Sequence, residues 1–531
     1  MENEGNILHL ETDSLNIISE ASSNEAQKTQ KTQTITTSFR DQAIQDAISN
    51  LIHTPDNEPY AIIKRKNAQI AVHIQSSEFQ QFVNKTAYEA TGRPLNRQHI
   101  DDTIGLLAAK AMYEGTEKPV FLRIGKRDDG GIEVDLANDS GDVVLIQNGN
   151  WQISKPTLCF RRTARMKPLP EPTKGGSIDK LWKFINITTV RDQALMLAWL
   201  VGAFNPEGPY PILIMQASRG SGKTTAMQLI RNLIDPAEAD KRALFKNEQD
   251  LYIAAENNWI MSYDNLDCLS GKQSDWLCRI STGGAFATRK LYSNKTESVM
   301  EACRPVIMNG IEDIASRADL ISRSIQLTLS PISTDTAKSV NEIKSQFERD
   351  QPEILGFLLD CVADGLNGKD TVKLNQTPRM ADFAQFVTSA ERRLGLTDGY
   401  ITKTLIERQL TEDQDSVAMD PIAAQLAVFL MRQPDQKWKG TMTKLLSAIT
   451  PDKRPRNWPD TARYLSQRLR QMKTQLEDAG IFVDWKSGQS RLFIAEIVDQ
   501  VCVSSVFCVS REDEGYAEFC VNDFECFDDC Q

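Results

Sequence analysis

Histidine is scarce in this 531-residue chain: its four copies, His9, His53, His73 and His99, all fall in the first hundred positions. The rest of the chain has no imidazole, which excludes a Ser-His-Asp triad, a histidine-rich metal centre and a histidine-based phosphohydrolase there. Catalysis downstream must rest on Lys, Asp, Asn, Arg and a bound magnesium ion, a set that suffices for phosphoryl transfer to water. Long apolar runs are missing as well. The longest, Ala194 to Phe204, falls short of the about 20 residues that span a bilayer, and the polar N-terminus lacks a signal-peptide core. The expectation is a cytoplasmic protein with no membrane partner. Metal-ligand spacing is absent among Cys159, Cys268, Cys278, Cys303 and Cys361, which are scattered as a reducing compartment uses cysteine. Cys502, Cys508, Cys520, Cys526 and Cys530 near the C-terminus form no C-x₂-C knuckle, so zinc is the lesser reading there.

Charge is unevenly spread. The net charge is −11. From Arg432 to Lys473, however, eleven Lys/Arg face three Asp, whereas Glu496 to Gln531 holds ten acidic residues against Arg511. A basic module thus precedes an acidic tail.

Composition and periodicity divide the chain into seven parts. Residues 1–45, rich in Ser, Thr, Asn, Gln and Glu, read as disordered. Residues 58–165 combine a helical stretch, Ser77 to Tyr113, with short alternating segments around Val120, Ile132, Val143 and Leu158, and read as a small α+β accessory domain. A Pro/Gly linker, 166–176, leads into a nucleotide-binding domain, 177–331. A helical connecting region, 332–418, and a C-terminal module, 419–496, follow, and 497–531 is the acidic tail.

The central domain carries the strongest motif. Ala217-Ser218-Arg219-Gly220-Ser221-Gly222-Lys223-Thr224 follows the apolar segment Pro211 to Met215 and precedes a stretch of helical apolar spacing from Thr225 to Ile234. This is the pattern of a phosphate-binding P-loop. Glycines let successive N–H groups turn inward on an anion, the lysine reaches the β/γ oxygens, and the threonine hydroxyl ligates magnesium. The helix N-terminus adds its dipole. Ala217 replaces the first glycine of the strict pattern. Downstream, Asn258 to Tyr263 is an apolar segment ending in Asp264-Asn265, suited to hold magnesium if its strand lies beside the P-loop strand.

Three further segments, Leu277 to Lys295, Arg304 to Gly310 and Ala318 to Leu329, complete a series that resembles the superfamily 3 helicases of the AAA+ group. It closely resembles the helicase-like part of phage and mobile-element primase-helicases, over about residues 60–495. The resemblance implies an ATP- and Mg²⁺-dependent hydrolase with Lys223, Asp264, Asn309 and Arg323 as catalytic residues. Asn309 would be a sensor orienting the attacking water, and Arg323 a finger inserted into a neighbouring subunit's site. A finger acting in trans implies a homohexameric ring working beside a primase or polymerase. Arg289, Lys290 and Lys295 match the hairpin that such motors point at single-stranded DNA in the channel. Where these motors carry a glutamate after the magnesium-holding aspartate, this chain has Asn265. Either Asp267 polarises the water or hydrolysis is slow. The plainer alternative for Arg323 is a surface ion pair.

In the C-terminal module, Pro421 to Met431, Met442 to Ile449 and Pro459 to Ala479 read as three helices before a hairpin, Ile481 to Trp485 and Ser490 to Ile494. That is a winged helix-turn-helix order, with Arg463, Gln467, Arg470 and Lys473 along one exposed helix face and Arg491 on the wing, placed to neutralise duplex phosphates. A protein-interaction domain is the alternative. The expected fold class is multidomain α/β: an AAA+ P-loop core with a small N-terminal α+β domain and a C-terminal winged helix. The leading functional reading is an ATP-dependent DNA motor of a phage, plasmid or integrated element; the second is an ATP-controlled DNA-binding switch without processive unwinding. A small-molecule kinase would leave Asn309, Arg323 and the basic module without a role.

Overall fold

The structure is a computed structural model. It describes residues 40–506 apart from 218–219, 239–242, 290–296, 311–313, 315–316, 333–337, 375, 419, 456–457, 487–491, 500–501 and 504–505, with backbone alone for 286–289, 297–300, 318 and 409–416. Ser218, Arg219, Lys290, Lys295, Arg491 and most of the acidic tail therefore lie outside the described residues, as does the N-terminal segment up to residue 39.

The chain forms two compact units. One runs to Gln147 and adds Trp151–Glu171 and Asp235–Glu238; the other takes Asn148–Asn150, Pro172–Ile234 and the chain from Ala239 onward. In the first unit, β1 (Ile48–His53), β2 (Pro59–Arg65) and β3 (Ala68–His73) form an antiparallel meander, and β4 (Thr116–Glu117) joins β1 in parallel. Helices α1 (Ser77–Thr91) and α2 (Arg97–Tyr113) bury Phe79, Val83, Leu107 and Ala111 against Ile63 and Ile70 of that sheet. The single helical stretch expected from Ser77 to Tyr113 is thus two helices, because Gly92 takes a left-handed conformation (φ 67°) that closes α1. Residues 40–47 are helical and Ile44 is buried with this core, which corrects the disorder expected as far as 45.

A second sheet has the order β10-β5-β6-β7-β8-β9, from β5 (Val120–Leu122), β6 (Ile124–Lys126), β7 (Ile132–Asp135), β8 (Val143–Gln147), β9 (Asn150–Ser154) and β10 (Cys159–Arg161). Its buried charges answer one another. Arg123, fully buried, donates to Asp235 at 3.1 Å and to the carbonyls of Asp135 and Lys167, and Arg162 pairs with Asp135 at 2.7 Å. These groups hold structure, since a buried charge is tolerated only when paired and hydrogen-bonded.

The second unit is built on a four-stranded parallel sheet of order β12-β15-β11-β16. Its strands are β11 (Ile212–Gln216), β12 (Met261–Leu266), β15 (Val306–Gly310) and β16 (Ser324–Thr328). β11 and β15 are buried along nearly their whole length, as parallel strands covered on both faces are. Around them lie α3 (Val190–Gly202), α4 (Lys223–Asn232), α5 (Glu248–Asn257), α6 (Gly271–Thr282) and the short α7 (Ala318–Ile321). β13 (Gly284–Arg289) and β14 (Glu297–Ala302) pair as a separate antiparallel hairpin, Arg289 opposite Glu297. Helices α8 (Val340–Gly368), α9 (Ala381–Thr388) and α10 (Tyr400–Ala418) connect onward.

The C-terminal module orders α11 (Pro421–Met431), β17 (Lys437–Gly440), α12 (Met442–Ile449), α13 (Ala462–Gln471), α14 (Lys473–Asp478), β18 (Ile481–Lys486) and β19 (Leu492–Ile497). Its sheet has the order β17-β19-β18, antiparallel throughout, and the first strand was not anticipated from sequence. Leu445, Leu465, Leu469, Leu476, Val483 and Phe493 close the core. The helix expected from Pro459 to Ala479 begins instead at Thr461, whose side chain caps Tyr464, and breaks at Met472 (φ −96°, ψ 8°) into α13 and α14.

Candidate functional site

The loop between β11 and α4 leaves the C-terminal edge of the parallel sheet, the edge at which open α/β sheets bind ligands. Gly220 (φ 83°) and Gly222 (φ 73°) both sit in the left-handed region, where a side chain would strain the backbone, and a Cβ on Gly222 would stand 3.1 Å from Ile332. Gly222 is the N-cap of α4, and no side chain caps that helix. Its first-turn residues Lys223, Thr224 and Thr225 are half-buried; Ala217 and Ser221 are buried. Lys223 Nζ folds across the loop to donate to the Ala217 carbonyl. Burial pushes the Lys223 ammonium below its ordinary value, so a nearby anion would restore what burial costs it.

Three polar side chains converge at this edge. Thr224 Oγ1 donates to Asp264 Oδ1 at 2.8 Å, Asn309 Nδ2 donates to the same oxygen at 2.8 Å, and Asn309 Oδ1 accepts from the Asn265 backbone N–H at 2.8 Å. Asn309 is 1% exposed, so its amide is held in place by the two groups it bridges. The Asp264 strand does not lie beside β11, as the sequence led us to expect. β15 intervenes, and the Asn309 side chain spans the gap while Asp264 still meets Thr224. The β12–β15 register shifts between Tyr263 and Leu266, and Asn265 sits there at φ 57°, a conformation that Asn tolerates better than most residues. Asn265 and Asp267 are both exposed. Hydroxyl and carboxylate oxygens such as Thr224 and Asp264 are hard donors of the kind magnesium takes alongside phosphate and water.

One residue that the sequence did not single out positions this cluster. Arg231, two helical turns beyond Thr224 on the same face of α4, is fully buried and donates to Ser262 Oγ at 2.7 Å and Asn258 Oδ1 at 3.0 Å. Helix α4 is thereby tied to β12 at both ends. The i, i+7 spacing of Thr224 and Arg231 on α4 is the signal in the sequence that would have found it.

Arg323 is elsewhere. Its carbonyl accepts from Ile212 N at 2.9 Å, which puts it at the N-terminal edge of the same sheet. Five-residue strands at about 3.3 Å per residue separate it from Lys223 by roughly 16 Å. There Arg323 pairs with Asp319, which also takes Arg379 at 2.7 Å, and Arg379 donates to Ser322 Oγ. Burial pushes the Asp319 carboxyl up, but the two arginines more than offset it and hold it below its ordinary value. Among the described residues, no hydrogen bond or ion pair joins Asp267 to Thr224, Asp264 or Asn309.

Among the expected DNA contacts, Arg289 ends β13, its side chain outside the described residues. Arg463, Gln467 and Arg470 are exposed on α13. Lys473 departs from expectation: the break at Met472 moves it to α14, where it is half-buried and pairs with Glu477 at 3.6 Å. Among the described residues, no helix is long and apolar enough to cross a membrane.

Comparison with known proteins bears on the same two regions. No curated protein matches the chain. Among solved structures it is similar to the A form apo structure of the NrS-1 C terminal region, at 12% identity and a TM-score of 0.40 over 86% of this chain and 98% of that one. It is also similar to the apo structure of the NrS-1 C terminal region (305–718), at 12% identity and a TM-score of 0.37 over 86% and 97%. Residues 178–403 match the family model of the actinomycete integrative conjugative element replication protein, and residues 422–500 match that of its C-terminal domain. The central and C-terminal regions of this chain, in that order, are similar to the replication protein of a mobile element.

Proposed function

We propose that this protein is a magnesium-dependent ATPase that drives DNA replication of a mobile element as a ring motor, with an AAA+ type core and a winged-helix C-terminal module. The observation that carries the reading is the union at one sheet edge of a doubly left-handed glycine loop, an uncapped helix N-terminus and the Thr224–Asp264–Asn309 cluster. Nucleoside triphosphate would lie on the loop, its β/γ oxygens met by Lys223 and the α4 N-terminus. Thr224 and Asp264 would hold the magnesium ion, which neutralises phosphate charge. Asn309 keeps the Asp264 carboxylate oriented, and Arg323 would act on a neighbouring copy, since its own chain's loop is out of reach. The similarity to mobile-element replication proteins supports the replication context.

A second reading, an ATP-controlled loader or switch without processive unwinding, is favoured by Asn265, which offers no carboxylate where a general base would stand. ATP hydrolysis by the full chain, with and without single-stranded DNA, separates the two. Strong stimulation by DNA coupled to strand displacement supports the motor; ATP binding with negligible turnover supports the switch. Absence of ATP binding refutes both.

A further inference from the structure

The basic module holds fewer free cations than its sequence advertises. Lys437 pairs with Glu496 at 2.5 Å, Arg468 with Asp420 at 2.7 Å, Lys473 with Glu477 at 3.6 Å and Arg454 with Asp460 at 3.7 Å. Arg454 and Lys473 are in loose surface pairs that give way to a phosphate, whereas Arg468 is tied to the largely buried Asp420. What α13 does expose is a different chemistry. It buries Leu465 and Leu469, while Arg463, Tyr464 and Gln467 face outward, Tyr464 with 45% of its surface exposed. Arg463 and Gln467 stand one turn apart on one face, and neither has a side-chain partner among the described residues.

The rotation of that helix about its own axis is fixed from one side. Trp485 of β18 packs on the buried ring of Phe493, centroids 5.1 Å apart, and donates its indole N–H to Ser466 Oγ at 3.1 Å. The Arg470 guanidinium lies over the same indole, 4.6 Å from its centroid. Cation–π contact and hydrogen bond together tie the helix to the strand that enters the hairpin, so that the outward residues are held in one direction. Helix α12 precedes α13 and exposes Lys444, and Lys453 is exposed in the connection between them. This is where a helix-turn-helix crosses the phosphate backbone.

We propose that α13 reads a specific duplex DNA sequence in the major groove, with Arg463, Tyr464 and Gln467 meeting base edges, Lys444 and Lys453 meeting phosphates, and Arg470 positioning the helix through Trp485. Arginine pairs bidentately with guanine O6 and N7, and glutamine with adenine N6 and N7. One helical turn of four residues advances about 6 Å, or about two base pairs at roughly 3.4 Å each. The site therefore contains a guanine and an adenine about two base pairs apart. Tyr464, between them, offers its ring to a thymine methyl group.

The proposal rests on the DNA-docking part of the functional reading and is independent of ATP hydrolysis. It is tested by enriching a random duplex library on the full chain without nucleotide, then comparing the enriched duplex with its scrambled counterpart by fluorescence anisotropy at several salt concentrations. Enriched DNA should bind at least about 10³-fold more tightly than scrambled. Arg463→Ala and Gln467→Ala should each cut that preference by about tenfold and leave binding of scrambled DNA unchanged. Lys444→Ala should weaken both equally and reduce the salt slope by about 0.9. Arg470→Ala should lower the preference with unfolding unchanged, and Arg470→Lys, which keeps a cation over the Trp485 ring, should restore it in part. Duplex binding without enrichment, or a preference untouched by Gln467→Ala, overturns the inference alone. No duplex binding by the full chain overturns the docking reading with it, leaving the ATPase reading to its own assay.

Discussion

The two edges of one parallel sheet carry opposite chemistry. At the C-terminal edge, Thr224, Asp264 and Asn309 form a compact polar set with a single lysine folded over the loop. At the N-terminal edge, Arg323 and Arg379 share Asp319, two cations on one carboxylate. The first edge suits a metal–phosphate ligand; the second suits the charge that such a ligand leaves exposed. Because the edges face opposite ways on one copy, they can meet only between copies, and a head-to-tail contact of that sort closes into a ring when its rotation permits. Under the proposed function, the difference between the edges bears on assembly as much as on catalysis.

The largest effect expected on this comparison comes from Lys223→Ala, which removes the cation of the loop edge. ATP turnover should fall about 10³-fold or more while the circular dichroism of the chain is unchanged. Next is Arg323→Ala at the opposite edge. Turnover should fall about 10³-fold with ATP affinity intact, and mixing it with Lys223→Ala should recover activity, because a mixed ring contains sites with both an intact loop and an intact finger. Loss of ATP affinity in Arg323→Ala, or no recovery on mixing, would break the assignment of the two edges to neighbouring copies.

A smaller effect is expected at the residue that aligns the loop edge. Arg231→Ala leaves Ser262 and Asn258 without their charged donor in a buried site and should cost about 3 kcal/mol, read from denaturant unfolding. A change within about 0.5 kcal/mol would show that α4 is seated by its apolar contacts alone.

How much of this was legible in the sequence follows from the range of each interaction. The loop, its helix and the order of Asp264, Asn309 and Arg323 along the chain were readable because glycine spacing and strand-terminal residues are local signals. The insertion of β15 between β12 and β11 was not, since parallel strand order is set by crossovers, which leave no mark within either strand. β1 to β3 were passed over for a different reason: the core that their antiparallel sheet covers is supplied by α1 and α2 from later in the chain. The break at Met472 was hidden because neither Gly nor Pro interrupts the run from Ala462 to Glu477. Leu469, Met472 and Leu476, all buried in the C-terminal core, keep the i, i+3, i+7 spacing of one continuous helix, so the apolar pattern carries no mark of the break.

The smallest effect, and the one that sharpens the reading of the loop edge most, concerns Asn265. Its exposed side chain springs from a left-handed residue at a strand irregularity, with the backbone N–H held by Asn309. Glutamate at 265 would keep that hydrogen bond but occupy a conformation it tolerates less well, at about 1 kcal/mol. A side chain leaving a left-handed residue takes a different direction from one leaving an extended strand, so the new carboxylate should not gain the place of a general base. Asn265→Glu should therefore lower the thermal midpoint slightly and leave turnover within about twofold. A rise of about 10² in turnover, the scale on which a well-placed base acts, would show instead that asparagine at this one position is what holds hydrolysis back.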